Sequence, residues 1–401
     1  MNNFFLKLNK FKDQITIFYI SILFSFFIFF WQIKYDFIQL RFLIILLILP
    51  IILNFNKKLF KKSLIYLFLS FLLIFHSYIQ SNNFSSNMNY NFYSIFVLFG
   101  LFFIFDFYNN FFFKNLDHII YSYLTILFIF LIYQFFSYDD YFDEVSNKCI
   151  GCFSILKNFY RENSHFGLLA STVIYYLLFI SKSNIYVRSI FFILFLIISL
   201  VNLSITFIAG IILMIFFIAI FNTRLILTYK FALFFIVFSI PVILNQELDR
   251  RKISDFFTIN DKINLRTNLS TEVYQVSLFV AKNAIKEKPL GYGFNNYELA
   301  FKKYIKDYDT HNVETANLNI KDGSIIFSKI VTEFGIFSFF LFYLLLSFTL
   351  NKNIDYKIKI LFLLPLIIQL FIRGVGYFNA GFLLFLFYTF IISREKHLIK
   401  K

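Results

Sequence analysis

Charged residues are scarce in this chain. They make up 15% of its 401 residues, whereas hydrophobic residues make up 59% and aromatic residues 23%. Soluble globular domains carry about 25% charged residues, so the composition excludes a soluble domain of the ordinary type. The sequence therefore predicts an integral membrane protein.

Proline and glycine are also scarce. Four Pro and eleven Gly, against 66 Phe, leave long apolar blocks that few residues interrupt. Many blocks reach the roughly 17 to 25 residues that a helix needs to cross a bilayer. A membrane β-barrel would show alternating segments of about ten residues with a polar lumen face, and the chain lacks that pattern. We therefore expect an all-α polytopic membrane protein.

Cysteine occurs only at Cys149 and Cys152. One Cys-x-x-Cys pair is too few for a four-cysteine zinc site, and the βαβ pattern that accompanies a redox motif is absent, so a short disulfide or two free thiols remain. No cluster of Asp and His has metal-ligand spacing, which predicts no metal site. The net charge of +15 is spread between the apolar blocks, so it gives no evidence of nucleic-acid binding.

The apolar blocks predict about twelve membrane-spanning helices. They lie near residues 15–31, 37–55, 63–80, 92–109, 119–138, 164–181, 185–202, 203–221, 228–244, 324–350, 358–372 and 378–393. The first block is too long for a signal-peptide core and lacks a cleavage site of small residues, so we expect a retained span. Lys and Arg concentrate at every second connection, which predicts that both termini are cytoplasmic.

Two long connections fall on the opposite, outer side. They run from Asp139 to Asn163 and from Asn245 to Asp322, and the second is large enough to fold as a small cap. Long loops cross the membrane largely regardless of their charge. The predicted organisation is spans one to nine in residues 1–244, a large periplasmic loop with amphipathic helices in residues 245–322, and spans ten to twelve in residues 323–401.

The large outer loop contains two amphipathic patterns. Their apolar residues recur at helical spacing: Leu269, Val273, Val276, Val280 and Ala284 in the first, and Tyr297, Phe301 and Tyr304 in the second. Lys302, Lys303 and Lys306 fall on the other face of the second pattern, and Pro289 ends the first. We therefore expect two surface helices.

Between these helices lies a glycine turn, Gly291-Tyr292-Gly293-Phe294-Asn295-Asn296. Asn295 or Asn296 can cap the second helix, and a glycine turn before a helix presents backbone N–H groups that suit an anion. Glycine is also common where a helix simply ends, so a purely structural role stays open. A potassium filter is excluded, because Lys286 to Pro289 precede the turn where a filter needs a Thr-Val pair in a membrane loop.

Other polar residues also collect on the outer side. They are Arg161, Glu162 and His165 ahead of the sixth span, Arg250 and Arg251, His311, Asp322 where the tenth span begins, and Arg373. A single Arg at the end of a span often just extends to the lipid headgroups. Arg373 differs because Gly374 and Gly376 follow it and would let the backbone approach a ligand closely. Together these residues suit an anionic ligand, since guanidinium groups bind phosphate bidentately.

Two charged residues, Lys329 and Glu333, lie inside the tenth predicted span. They are four residues apart, so one face of a helix would pair them. Pairing alone accounts for their presence, because a lone charge at mid-membrane costs about 2.5 to 3.5 kcal/mol on insertion scales.

The order of these features resembles the O-antigen polymerase and O-antigen ligase superfamily. In those proteins an Arg opens an amphipathic loop helix, a Pro-Leu turn with two glycines follows, and a Glu-x-Gly sits in the next span. The corresponding residues here are Arg266, then Pro289, Leu290, Gly291 and Gly293, then Glu333 and Gly335. The detailed resemblance covers about residues 261–340.

The resemblance implies an inner-membrane glycosyltransferase that uses no nucleotide sugar, metal or other cofactor. It would polymerise undecaprenyl-pyrophosphate-linked oligosaccharide repeat units into O-antigen or a similar surface polysaccharide at the periplasmic face. Loss of a pyrophosphate needs cationic groups, and attack by a sugar hydroxyl needs a base. The expected partners are the lipid-linked oligosaccharide, the bilayer and, as a candidate, a chain-length regulator, with no nucleic acid.

The expected site residues divide into two groups. Those that bind pyrophosphate or glycan are Arg161, Arg266, Arg373, Gly291, Gly293, Asn295 and Asp322. Those that assist the acceptor hydroxyl are His311, or Glu162 with His165.

Two alternatives stay open. An O-antigen ligase would transfer the same glycan to lipid A core, but its pattern has His-Asn shortly before the Glu-x-Gly. Here Asp322-Gly323-Ser324 stands in that place and His311 lies farther upstream, which favours the polymerase. A flippase or other transporter would carry charged residues along several spans facing a cavity, whereas the charges of this chain collect in outer loops.

Overall fold

The structure is a computed structural model. It describes residues 2–29, 34–35, 38–39, 44–53, 56–81, 88–137, 163–201, 204–222, 269–308, 318–347, 354–374, 376–377, 379, 381–386 and 388–389. These residues are helical apart from turns and one short antiparallel ladder, in which β1 (Lys34–Tyr35) pairs with β2 (Ile38–Gln39). The predicted all-α class is confirmed at this level.

The helices are, in chain order, α1 (Asn2–Phe29), α2 (Ile44–Leu53), α3 (Lys57–Ser81), α4 (Met88–Phe107), α5 (Asn109–Ser137), α6 (Asn163–Phe179), α7 (Ile185–Val201), α8 (Ile205–Phe221), α9 (Leu269–Glu287), α10 (Tyr297–Tyr304), α11 (Ile326–Phe334), α12 (Phe337–Ser347) and α13 (Tyr356–Ile367). A 3₁₀ turn (Ile305–Asp307) follows α10, and a π-helical turn (Ile368–Ile372) follows α13.

The chain forms two compact units, each built from separate stretches of sequence. The first unit comprises Met1–Asn56, Ile104–Gly210 and Phe378–Lys401, and the second comprises Lys57–Phe103 and Ile211–Tyr377. The second unit thus joins residues from before, within and after the predicted outer loop. The segments predicted from sequence, residues 1–244, 245–322 and 323–401, divide the chain by its position relative to a membrane. They therefore do not correspond to these two packing units.

Two predicted spans differ from the observed helices. The span at 37–55 is wrong at its beginning, because Ile38 and Gln39 pair in the ladder and α2 has only 10 residues. The span at 324–350 is not one helix, because Gly335 has a φ of 54° and separates α11 from α12. The span at 228–244 lies outside the described residues, and that at 378–393 is described in part, with residues 381–386 and 388–389 helical.

Membrane character is supported by the apolar helices. Two described stretches, Leu59–Gln80 and Lys114–Ile132, are long and apolar enough to cross a membrane. On α3 the large apolar side chains point outward, and Phe68 and Phe71 are 59% and 62% exposed. An apolar surface of this kind needs lipid or protein against it. The full set of spans, the membrane in question and the orientation stay predictions.

The first unit is held by close packing of α1 on α5. Phe24 of α1 meets Phe112 of α5 edge to face, with ring centroids 4.4 Å apart, and Phe29 stacks on Tyr123 at 4.0 Å. The Ser25 hydroxyl donates a hydrogen bond of 2.7 Å to the backbone oxygen of Ile119. Such hydroxyl bonds between apolar helices are typical of helix pairs in membranes.

The second unit has its apolar core between α9 and α10, as the two amphipathic patterns predict. The expectation that α9 is a surface helix is wrong for its N-terminal half, because its polar residues Glu272, Gln275 and Ser277 are buried as well. The core residues are Val276, Val280, Ala284, Tyr292, Tyr297, Ala300, Phe301, Tyr304 and Tyr308. Lys302 and Lys303 are exposed on the far face of α10, and Lys306 is exposed in the 3₁₀ turn that follows it. The ends of the two helices are linked by Glu287, which accepts hydrogen bonds from Lys303 and Tyr304. The bond from Lys303 lowers the pKa of the Glu287 carboxyl below its ordinary value.

A lysine in the middle of α3 tests whether this helix crosses a membrane. Replacing Phe68 by Lys should cost insertion about 2.5 to 3.5 kcal/mol, because a charge would stand at mid-bilayer. The measurement is the inserted fraction of the 59–80 segment in a host protein with glycosylation sites on both sides. Phe68→Leu is the matched control and should insert like the wild type. Equal insertion of the Lys and Leu variants would mean that α3 is not a span.

Candidate functional site

The glycine turn and the break at Gly335 are one structural element. The backbone N–H groups of Tyr292 and Gly293 donate to the carbonyl oxygens of Thr332 and Glu333, at 3.0 and 2.9 Å, and the N–H of Ile336 donates to Pro289 at 2.8 Å. The last carbonyl groups of a helix have no partner within it, and lipid provides none. The glycine turn therefore supplies the hydrogen bonds that the end of α11 lacks.

This contact requires glycine at two positions. Gly291 has a φ of 84°, and a Cβ atom there would lie 2.3 Å from the Glu333 backbone oxygen. Gly335 has a φ of 54°, and its Cβ atom would lie 2.0 Å from the Pro289 backbone oxygen. Both the left-handed conformation and the close backbone approach exclude a side chain.

The turn does not offer the free backbone N–H groups that the sequence predicted. Besides Tyr292 and Gly293, the N–H groups of Gly291, Phe294 and Asn296 donate to Lys288 O, Ser77 Oγ and Gly293 O. Asn296 stands at the N-cap position of α10 but makes no side-chain capping bond, and its amide nitrogen donates to Tyr292 O at 3.0 Å. These five N–H groups are therefore not free for an anion, whereas the predicted N-cap position of Asn296 is confirmed. The close backbone contacts support a structural role for Gly291 and Gly293, and their role in binding stays a prediction.

Helix α3 holds the turn from the other side. His76 donates through Nε2 to the backbone oxygen of Leu290 at 3.0 Å, and its ring stacks on Phe334 at 5.8 Å. A carbonyl oxygen can only accept, so Nε2 carries the proton. The Lys288 ammonium donates to Gln80 O at 2.9 Å. Sequence reasoning gave His76 no role, because its partner is 214 residues away in the chain.

A buried ion pair lies beneath the turn. Lys329 Nζ is 3.1 Å from Glu333 Oε1, and the two side chains are 1% and 0% exposed. Lys329 also donates to Asn295 Oδ1 at 3.3 Å and to the backbone oxygen of Lys321. The predicted pairing of Lys329 with Glu333 is confirmed.

Tyr377 completes this network. Its hydroxyl donates to Glu333 Oε2 at 2.7 Å, and its ring stacks on Phe294 of the turn at 5.1 Å. Burial, together with the adjacent Glu333 carboxylate, raises the pKa of the Tyr377 phenol well above its ordinary value. Tyr377 therefore stays a protonated donor at any physiological pH.

A second contact brings the Asp322 segment onto the segment after Arg373. The N–H of Gly374 donates to Ser324 O at 2.8 Å. A Cβ atom on Gly376 would lie 2.7 Å from Asp322 Oδ1, so the carboxylate rests directly on the glycine backbone. Asp322 and Arg373 are both partly buried.

The structure thus brings five predicted site residues into the second unit. They are Gly291, Gly293, Asn295, Asp322 and Arg373. His165 is buried in α6 of the first unit. Arg161, Glu162, Arg266 and His311 lie outside the described residues. The roles of all ten as binding or catalytic residues stay predictions.

The side chains at this site can hydrogen-bond a polar ligand. Asp322 provides carboxylate oxygens and Arg373 a guanidinium. The Asn295 side-chain oxygen accepts from Lys329, and its amide nitrogen donates to Ser94 Oγ at 3.4 Å. The oxygen can accept one more hydrogen bond and the nitrogen can donate one more. Among the described residues, no group of three His, Cys, Asp or Glu side chains is placed to hold a metal ion.

Comparison of the chain with protein-family models, with curated proteins and with solved structures finds no match.

Alanine substitutions test the contact between the turn and the break. Gly291→Ala and Gly335→Ala should each destabilise the protein by at least about 1 to 3 kcal/mol, because left-handed backbone and steric overlap add. The measurement is the midpoint of thermal unfolding in detergent. Gly100→Ala is the matched control, because a Cβ atom at Gly100 meets nothing within 4 Å, and alanine there should hold or raise the midpoint. Equal midpoints for all three variants would contradict the contact.

Proposed function

We propose that this chain is a membrane glycosyltransferase that polymerises undecaprenyl-pyrophosphate-linked oligosaccharide repeat units. The product would be O-antigen or a similar surface polysaccharide. The proposal places the enzyme in the bacterial inner membrane, with both termini cytoplasmic and the site at the periplasmic face.

One observation supports the proposal most. The Pro-Leu-Gly-Tyr-Gly turn and the Glu-Phe-Gly segment, whose order carries the resemblance, are joined by three backbone hydrogen bonds although about 40 residues separate them. The same unit holds Asp322 and Arg373, whose segments contact each other. Residues selected by the resemblance and by their chemistry thus meet in one place, which favours a shared site over unrelated surface positions.

The reaction needs two functions from the side chains. The acceptor hydroxyl oxygen attacks the anomeric carbon of the donor glycan, and the bond from that carbon to the pyrophosphate oxygen breaks. Undecaprenyl pyrophosphate leaves with the electron pair, and the hydroxyl proton passes to a base. Fixed guanidinium groups stabilise the charge that develops on the leaving pyrophosphate.

The side chains are assigned to these functions as follows. Arg373, with Arg266, would hold the pyrophosphate. Asp322 and Asn295 would hydrogen-bond the glycan, since carboxylate and amide groups match sugar hydroxyls. His311 would take the proton. The Gly291 and Gly293 turn would form the wall of the site.

Arginine variants test this assignment. Arg266→Ala and Arg373→Ala should each abolish polymer, because the developing charge on the pyrophosphate would lose its partner. The measurement is the lipopolysaccharide ladder of a deletion strain that carries each variant, with membrane protein level measured by immunoblot. Arg188→Ala, the same change on the predicted cytoplasmic side, is the control and should keep the ladder.

The ladder also separates the candidate functions. Loss of a polymerase leaves core bearing one repeat unit, whereas loss of a ligase leaves bare core and carrier-linked polymer. Full-length polymer in both the Arg266→Ala and Arg373→Ala strains would contradict the assigned roles.

A further inference from the structure

The Lys329 ammonium is surrounded by protein oxygens, one in an ion pair and two in hydrogen bonds. It carries three N–H groups, and three oxygens surround it: Glu333 Oε1 at 3.1 Å, Asn295 Oδ1 at 3.3 Å and the backbone oxygen of Lys321. Its side chain is also almost completely buried. Lys329 therefore acts through its protein partners and not through direct contact with a ligand.

These partners belong to separate segments of the candidate site. Asn295 belongs to the glycine turn and has a φ of 60°. The Lys321 carbonyl directly precedes Asp322. On the other side of the ion pair, Glu333 accepts the hydroxyl of Tyr377, four residues after Arg373. One ion pair thus reaches all three segments that carry Asn295, Asp322 and Arg373.

Stability alone does not explain a buried ion pair. Apolar residues of similar volume often stabilise a protein as well as such a pair or better, because they avoid the cost of removing two charges from water. An apolar pair would not, however, hold Asn295 and the Lys321 carbonyl in place. The distinctive contribution of Lys329 and Glu333 is therefore geometric.

We propose that Lys329 and Glu333 are positioning residues that fix Asn295, Asp322 and Arg373 in the geometry of a site for a polyprenyl pyrophosphate. The identity of this ligand rests on the proposed function, whereas the positioning role rests on the hydrogen bonds alone.

The test replaces the ion pair by apolar residues. In the double variant Lys329→Met/Glu333→Leu no charge is left without a partner, so the variant should fold with a thermal midpoint close to that of the wild type. Lys303→Met/Glu287→Leu is the matched control, because it removes an ion pair whose side chains are 51% and 44% exposed.

Two measurements on purified protein in detergent distinguish an effect on the backbone around Asp322 from an effect on ligand binding. The first is hydrogen exchange of the Asp322 and Gly323 amides, which donate to Asn319 O at 3.3 and 3.0 Å. The second is the affinity for undecaprenyl pyrophosphate. In Lys329→Met/Glu333→Leu, exchange at these amides should be about tenfold faster and affinity about tenfold weaker, because a charged hydrogen bond to the Lys321 carbonyl is lost. The control variant should match the wild type in both.

Each outcome decides a different claim. Wild-type exchange and wild-type affinity in a folded Lys329→Met/Glu333→Leu protein would overturn the positioning role. Faster exchange in that protein, together with no binding of undecaprenyl pyrophosphate by the wild type, would support the positioning role and overturn the proposed function.

A milder variant decides the question if the double variant does not fold. Tyr377→Phe removes only the hydroxyl that donates to Glu333 and keeps the ring that stacks on Phe294. Exchange of the Gly374 amide should become about threefold faster and affinity about threefold weaker, since one hydrogen bond is lost. Wild-type values for both in Tyr377→Phe would overturn the positioning role.

Discussion

The ion pair between Lys329 and Glu333 is the interaction on which the rest of the candidate site depends. Each charge alone would be costly in a buried place, and the pair is tolerated because the two charges lie 3.1 Å apart and each partner makes further hydrogen bonds. Lys329 donates to Asn295 and to the Lys321 carbonyl, and Glu333 accepts from Tyr377, so the pair is bonded to three different segments. Removing either charge would leave the other buried without a counter-ion and would free these segments from each other.

Because α11 ends at Gly335, another segment of the second unit can bond to its last carbonyl groups, next to the ion pair. A continuous helix would use the carbonyl groups of Thr332 and Glu333 within its own turns. Because α11 ends there, these groups accept from Tyr292 and Gly293 and fix the glycine turn beside the ion pair. A structural requirement, the pairing of carbonyl groups at a helix end, thus also determines where Asn295 lies relative to Lys329.

Local patterns in the sequence predicted local structure. The apolar periodicity of residues 269–304 predicted two amphipathic helices and a turn between them, and the spacing of Lys329 and Glu333 predicted their pairing. The break inside residues 324–350 was not predicted, because hydropathy is continuous across Gly335 and contains no information on its φ. The contacts of His76 with Leu290 and of Tyr377 with Glu333 join residues far apart in the sequence, so local patterns do not predict them. The same holds for the hydrogen bonds from the turn N–H groups to Thr332 and Glu333. Arg161, Glu162, Arg266 and His311 lie outside the described residues, so their predicted roles rest on sequence alone.

The central claim is that this site transfers a glycan from a polyprenyl pyrophosphate to a sugar hydroxyl. The most direct measurement is polymerisation by the purified protein in liposomes that contain undecaprenyl-pyrophosphate-linked repeat units as the sole substrate, in the presence of a metal chelator. We expect glycans longer than the substrate and a matching release of undecaprenyl pyrophosphate, both lost in Arg373→Ala. If folded wild-type protein forms no new glycosidic linkage and releases no undecaprenyl pyrophosphate, with or without the chelator, the claim is contradicted.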